Sequence, residues 1–258
     1  MMKVLLLAGG LGTRLREETE FKPKPMVEIG SKPILWHIMK NLSTFGMKEF
    51  VVATGYKGEI IKDYFLNYHS RNNDITVELG RNSEFRQHGT HSESDWTVTI
   101  TNTGELTMTG GRVFKSQKYL LNETFLCTYG DGLANVNIEE LISFHKSHGK
   151  LATVTTVQPL SRFGMMDVDS YGNVKKFREK PVMEGWVNAG FFVFEPGVFD
   201  YLDQDSVLEQ EPLSKLASIG ELVAYRHSGF CQPMDTLRES QFLNDLWDRN
   251  DAPWRNWD

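Results

Sequence analysis

Cysteine is scarce in this chain of 258 residues: only Cys127 and Cys231 occur, far apart in sequence. Two isolated thiols supply neither a disulfide framework nor the paired spacing of a zinc site. The expected compartment is reducing, hence cytoplasmic. Long apolar runs are missing too, and none approaches the ~20 residues of a membrane span. The chain starts Met-Met-Lys and enters an apolar segment at once, so no secretory leader is expected. Positive charge is in short supply. The 28 Lys and Arg stand against 34 Asp and Glu, for a net charge of −6, which argues against a broad nucleic-acid surface. A local basic pocket for small anions is still allowed, because the field of a cleft is set by its own lining. No internal repeat, low-complexity tract or domain linker is visible. What remains, 40% hydrophobic and 24% charged residues, is the composition of a soluble globular protein with a sizeable core.

Two common phosphate-binding motifs are also absent. No Gly-x4-Gly-Lys-Ser/Thr run exists, and a dinucleotide fingerprint read from Gly10 and Gly12 fails because Leu15 stands where glycine is needed. In their place, the apolar run Lys3–Ala8 empties into Leu7-Ala8-Gly9-Gly10-Leu11-Gly12-Thr13-Arg14-Leu15, and Lys22-Pro23-Lys24-Pro25-Met26 follows. Glycines let the backbone take up positive φ and approach a ligand closely. Successive N–H groups in such a turn make an anion-binding concavity. Thr13 adds a hydroxyl donor, and Arg14 adds a forked permanent cation suited to phosphate oxygens. Pro25 biases Lys24 towards extended backbone, which limits the entropy cost of holding its ammonium.

Hydrophobic periodicity organises the rest. Strands are expected at Lys3–Ala8, Glu49–Thr54, Ile75–Leu79, Trp96–Asn102, Thr124–Tyr129, Ala152–Val157, Trp186–Phe194 and Leu222–His227. Helices are expected at 33–45, 58–68, 110–121, 138–148, 212–219 and 236–249. The alternation predicts an α/β fold with a doubly wound, mostly parallel sheet. Met165–Asp169 and Val174–Glu179 form a hairpin-like pair. The polar segment 81–95 reads as a surface loop, with His88 and His91 solvated, or as an arm reaching over the nucleotide or a neighbouring subunit. The tryptophans near the end, Trp254 and Trp257, are expected to pack on the body or on another subunit.

Gly130-Asp131-Gly132 ends a predicted parallel strand, where ligands bind in open α/β sheets. A carboxylate there suits a divalent cation that also touches phosphates, and Mg²⁺ commonly takes one or two carboxylates. Asp235 is the candidate second carboxylate, or alternatively the N-cap of the closing helix. Lys180, expected to be extended before Pro181, is a candidate second cation for an acceptor phosphate, or a solvated strand end. Asn188 opens a strand where an amide can bind sugar hydroxyls, or serves as a turn residue.

On these segments the chain resembles the sugar-phosphate nucleotidylyltransferases. The likeness continues through Gly55-Tyr56-Lys57-Gly58, Thr107-Met108-Thr109-Gly110-Gly111-Arg112, Arg162-Phe163-Gly164, Glu179-Lys180-Pro181, Asn188-Ala189-Gly190-Phe191-Phe192 and Gln232-Pro233-Met234-Asp235-Thr236. It covers essentially the whole chain. The Thr-Gly-Gly-Arg and Gln-Pro-Met-Asp-Thr segments are particular to the cytidylyl branch. The resemblance implies one domain, 1–258, of the nucleotide-diphospho-sugar transferase type, with a nucleotide part to about residue 135 and a sugar-phosphate part after it. It implies transfer of a cytidylyl group from CTP to α-D-glucose 1-phosphate, with UTP, dTTP or another phosphorylated acceptor as alternatives, and a non-catalytic nucleotide-sensing subunit as a remote one. It assigns Leu7, Ala8, Gly9, Gly10, Leu11, Gly12, Thr13, Thr107, Arg112, Gly130 and Asn188 to binding. Arg14, Lys24 and Lys180 fall at the reacting phosphates, and Asp131 and Asp235 bind Mg²⁺. It also implies a homo-oligomer, trimer or hexamer. Ala189 departs from the pattern, since close relatives carry glycine there.

Overall fold

The structure, a computed structural model, describes residues 2–80, 85–120, 122–161 and 163–257. Its centre is a seven-stranded sheet. In chain order the strands are β1 (Lys3–Ala8), β2 (Glu49–Thr54), β3 (Thr97–Asn102), β4 (Phe125–Tyr129), β5 (Ala152–Val157), β6 (Val187–Phe194) and β7 (Leu222–Arg226). They lie in the order β7-β5-β6-β4-β1-β2-β3. β1 pairs in parallel with β2 and β4, β2 with β3, and β5 with β7. Only β6 runs against its neighbours.

The continuous apolar run of β1 is explained by cover on both faces. Val4, Leu6 and Ala8 enter one hydrophobic layer, and Leu5 and Leu7 enter the other. Helix α1 (Ile34–Thr44) closes the first layer with Ile34, Leu35, Ile38, Met39 and Leu42. Helix α2 (Gly58–Leu66) adds Ile61 and Tyr64. Helix α3 (Thr109–Leu120) closes the second with Val113 and Leu120. Helices α4 (Ile138–His148), α5 (Glu211–Ser218) and α6 (Leu237–Asp248) complete the cover. No helix among the described residues is long and apolar enough to cross a membrane.

Three expectations change. The strand near residue 75 does not join the sheet. Asp74–Val77 pairs with Phe85–His88 in a separate ribbon, and half of each apolar side chain of Ile75 and Val77 stays exposed. Segment 81–95 is therefore not simply a loop; its residues 81–84 lie outside the described residues. His91 is not solvated either. The loop turns back through Trp96 N–H to Glu93 O, and Glu93 takes an ion pair from Lys40 at 2.6 Å. That seats His91 against the Tyr68 ring, 5.0 Å between centroids, with its Nε2 2.8 Å from His69 Nδ1.

The terminal tryptophans pack on the body. Trp254 is fully buried, and Trp257 meets Trp36 edge-on. Trp254 Nε1–H donates to His37 Nδ1 (3.4 Å), so His37 Nε2–H is left to donate to Ile29 O (2.9 Å). A neutral imidazole satisfies both bonds, and burial pushes His37 down to about 4. His148 and His145 follow the same logic. Lys150 N–H donates to His148 Nδ1, His148 Nε2–H to Thr153 Oγ1, Thr153 O–H to His145 Nδ1, and His145 Nε2–H faces Glu195. Burial lowers both pKa values. Below pH 6.5 the unfolded chain binds protons that the folded chain refuses, so stability falls as pH drops. For His37 the loss runs from its ordinary 6.5 to about 4 and reaches about 3 kcal/mol. Chemical denaturation is expected to show a lower midpoint at pH 5 than at pH 7.5; an equal or higher midpoint would show that these imidazoles are not held neutral.

Candidate active site

Parallel pairing brings the carboxyl ends of β1, β2, β3 and β4 to one edge of the sheet. Because β6 is antiparallel, its amino end, with Asn188 and Ala189, comes to the same edge. Residues from both halves of the chain thus meet there.

The closest convergence is around Lys24. Its Nζ donates to Asp131 Oδ2 at 2.7 Å and to Asp235 Oδ1 at 2.5 Å. Arg14 reaches the other oxygen of Asp235 at 2.8 Å. Local pairing explains why carboxylates so distant in sequence lie together. Gly132–Ala134 and Cys231–Pro233 form an antiparallel ladder that sets Gly132 opposite Pro233, and Met234 N–H donates to Asp131 O at 2.9 Å. Both aspartates then fall at the same end of the ladder. Gly130 fits beneath them. A Cβ there would sit 3.2 Å from Leu7 O and 3.2 Å from Pro25 Cγ, so a side chain would press tightly on the Lys24 turn where β4 leaves the sheet.

The structure settles two backbone readings. Lys24 is not extended. Met26 N–H donates to Pro23 O (2.8 Å) and Val27 N–H to Lys24 O (3.0 Å), closing a 3₁₀ turn over Lys24–Met26 that outweighs the bias from Pro25. Asp235 is not the helix cap. Thr236 caps α6, and Glu239 completes a capping box with it, so the Asp235 carboxylate is free to face Lys24.

The three loop glycines act differently. Gly12 takes φ +65, a left-handed value that favours glycine. Gly9 makes room for Arg112, whose guanidinium would lie 2.1 Å from a Cβ there. Gly10 faces open space. A cavity of about 200 Å³ opens beside Leu7, Ala8, Gly10, Gly12, Thr13, Arg14, Lys24 and Asp131. Leu11 is largely exposed at the loop tip. A larger cleft of about 770 Å³ shares Arg14 and Asp131 with it and extends past Asp235, Asn188 and Ala189. The two cavities meet where the carboxylates and cations stand.

Other expected site residues sit further back. Arg112 is 4% exposed. It donates to Gly9 O, Thr54 O, Thr103 Oγ1, Gly104 O and Glu105 O, holding the loops after β1, β2 and β3 from behind. Thr107 Oγ1 donates to Thr103 O and accepts from Lys115. Neither lines the two cavities. Lys180 is exposed and lines neither. It adopts φ +44 instead of an extended conformation, because Ser161 N–H binds Pro181 O and Leu160 bridges Val182, turning the chain sharply before the proline. Asn188 Oδ1 accepts from Gly190 N–H at 2.7 Å, which aims its amide nitrogen at the Tyr129 hydroxyl, 3.4 Å away. Sequence reasoning missed Tyr129 and Glu209. Tyr129 looks like one more apolar strand residue beside Gly130, and Glu209 lies in a charged loop that carries no motif.

The chain belongs to the nucleotidyl transferase family: residues 3–227 match the nucleotidyl transferase model. It is 51% identical over 261 residues to the glucose-1-phosphate cytidylyltransferase of Salmonella typhi, with both chains covered in full. It is 45% identical over 258 residues to the probable glucose-1-phosphate cytidylyltransferase of Bacillus subtilis, covering 99% of this chain and 100% of that one. In fold it is similar to HddC from Yersinia pseudotuberculosis (TM-score 0.71, 23% identity, 96% of this chain and 100% of that one). UDP-glucose pyrophosphorylase complexed with UDP-glucose has a similar fold as well (TM-score 0.70, 17% identity, 97% and 99%).

Proposed function

We propose that the chain transfers the cytidylyl group of CTP to α-D-glucose 1-phosphate, releasing pyrophosphate and CDP-glucose. The observation that carries this reading is the Lys24 ammonium between Asp131 and Asp235 at the junction of two cavities. The smaller cavity, walled by the glycine loop, takes the triphosphate. The larger cleft, walled by Asn188 and Ala189, takes the sugar phosphate.

The chemistry needs no general base. The nucleophile is a phosphate oxygen of the acceptor, largely ionised at pH 7 because the second pKa of a phosphate monoester is ~6. A new P–O bond forms at the α-phosphorus, and the bond to pyrophosphate breaks with its electron pair leaving on the pyrophosphate oxygen. No histidine lines either cavity among the described residues. The barrier is the approach of two polyanions and the charge on the transferred group. Lys24 and Arg14 counter that charge and hold the phosphates in line, and Lys180 is assigned to the acceptor phosphate by the family resemblance.

The donor set fits Mg²⁺. Asp131 and Asp235 offer hard carboxylate oxygens around a single cation position, and no third carboxylate, histidine or cysteine joins a cluster with them among the described residues. That leaves room for the phosphate oxygens and waters that Mg²⁺ prefers. When bound, the ion neutralises phosphate charge.

A homo-oligomer, trimer or hexamer, belongs to the same reading. Its support is the hairpin Met165–Val168 with Val174–Arg178, whose Met166, Val168, Val174 and Phe177 are all more than half exposed, and contiguous apolar surface of this kind can mark an interaction site. Sedimentation velocity is expected to give a trimer or hexamer, and a monomer at micromolar concentration would remove this part. The cytoplasm is the proposed location, consistent with two free thiols.

Pyrophosphate release should require CTP, glucose 1-phosphate and a divalent cation, with little signal from UTP or dTTP. Lys24→Ala is expected to lower turnover by about 100-fold or more while changing CTP binding only a few-fold. Unchanged turnover with a raised KM alone would show that Lys24 serves ground-state binding instead.

A further inference from the structure

The first turn of α3 touches both sides of the site. Arg112 holds Gly9 O of the nucleotide loop at 2.8 Å. Thr109, three residues earlier and so a neighbour on the helix surface, donates its hydroxyl to Glu209 Oε2 at 2.6 Å and accepts from Leu208 N–H at 3.0 Å. The other carboxylate oxygen of Glu209 accepts from the Tyr129 hydroxyl. That hydroxyl accepts in turn from Asn188 Nδ2. Tyr129 and Asn188 both line the larger cleft.

This chain of bonds is built on tight packing. A Cβ at Gly190 would come within 2.5 Å of the Tyr129 ring, and one at Gly111 within 2.2 Å of Gln204 O. Gly111 N–H also donates to Ser206 O at 2.9 Å. The loop bearing Glu209 is therefore fixed against α3, and the ring has no room to slide. Glu209 itself is exposed, so it contributes little to the hydrophobic core. Its effect is directional, because a hydroxyl that donates to the carboxylate must turn its lone pairs towards Asn188. Burial and the adjacent carboxylate push the Tyr129 pKa upward, which keeps the proton on the phenol.

We infer that Glu209 is a positioning residue: through Tyr129 it orients the Asn188 amide, and through Thr109 it ties that acceptor wall to the helix turn that holds the nucleotide loop. The role is to set the spacing between the two halves of the site, so its loss is felt by a ligand that spans both halves and not by one that fills only the nucleotide half. The inference rests on the proposed cytidylyl transfer to a sugar phosphate.

Calorimetric titration with CDP-glucose, which spans the site, and CMP, which does not, separates the two cases. Glu209→Ala and Tyr129→Phe are each expected to weaken CDP-glucose about three- to tenfold, the loss of a hydrogen-bonded contact, with CMP unchanged. Glu209→Gln, whose amide oxygen still accepts from Tyr129, should recover most of the loss. The double variant Glu209→Ala/Tyr129→Phe should be no weaker than the worse single variant, because both remove one path. Equal weakening of CMP and CDP-glucose, additive losses, or a lower Tm with both affinities intact would each overturn the inference. Wild-type protein that binds CMP but not CDP-glucose would overturn the functional reading and this inference with it; wild type and variants that bind CDP-glucose alike would overturn this inference alone. Tyr129→Phe deletes a single hydroxyl, so it carries the test even if Glu209→Ala fails to fold.

Discussion

One ammonium shared by two carboxylates is the constraint on which the site depends. Lys24, Asp131 and Asp235 come from three distant segments, and none of them means much alone. A lysine 9% exposed at its side chain is costly to hold in that position unless its charge is met. The two aspartates meet it, and the lysine in turn lets two like charges stand side by side. In the proposed reaction, a divalent cation and a polyphosphate would offer the same three groups new partners of opposite sign: metal for the carboxylates, phosphate for the ammonium.

The scaffold serves that arrangement by bringing chain ends together. Parallel strands deliver the glycine loop and Asp131 to one edge, and the reversal of β6 delivers Asn188 there as well. Behind the loop, the forked guanidinium of Arg112 satisfies carbonyls from three separate segments, Gly9, Thr54 and Gly104, which a lysine could not match in geometry. Loop precision here is bought by a buried cation on a helix, not by the loop's own residues.

Much of this was legible from residues. Strands β1, β2 and β5 and helix α4 fall where periodicity places them, because each is a strongly apolar or amphipathic run with a clear stop. That the glycine loop, Lys24, Asp131 and Asp235 lie together agrees with the sequence pattern, because glycine turns and carboxylates at strand ends have few other uses in combination. The backbone at Lys24 and Lys180 was misjudged because a proline's local bias is weaker than a closed turn or a tertiary bridge. The placement of Arg112 behind the loop, His91 in a packed cluster and Glu209 on the acceptor wall could not be read, since each depends on which loops touch across the fold. Periodicity carries no information about contacts between residues as distant as Thr109 and Glu209.

The most direct test of the central claim is a crystal structure with CMP and Mn²⁺, located by its anomalous signal. The account predicts one ion bonded to both Asp131 and Asp235, with the Lys24 ammonium moved from the carboxylates to the nucleotide phosphate. An ion bound elsewhere, or Lys24 still bridging both aspartates with nucleotide in place, would contradict it.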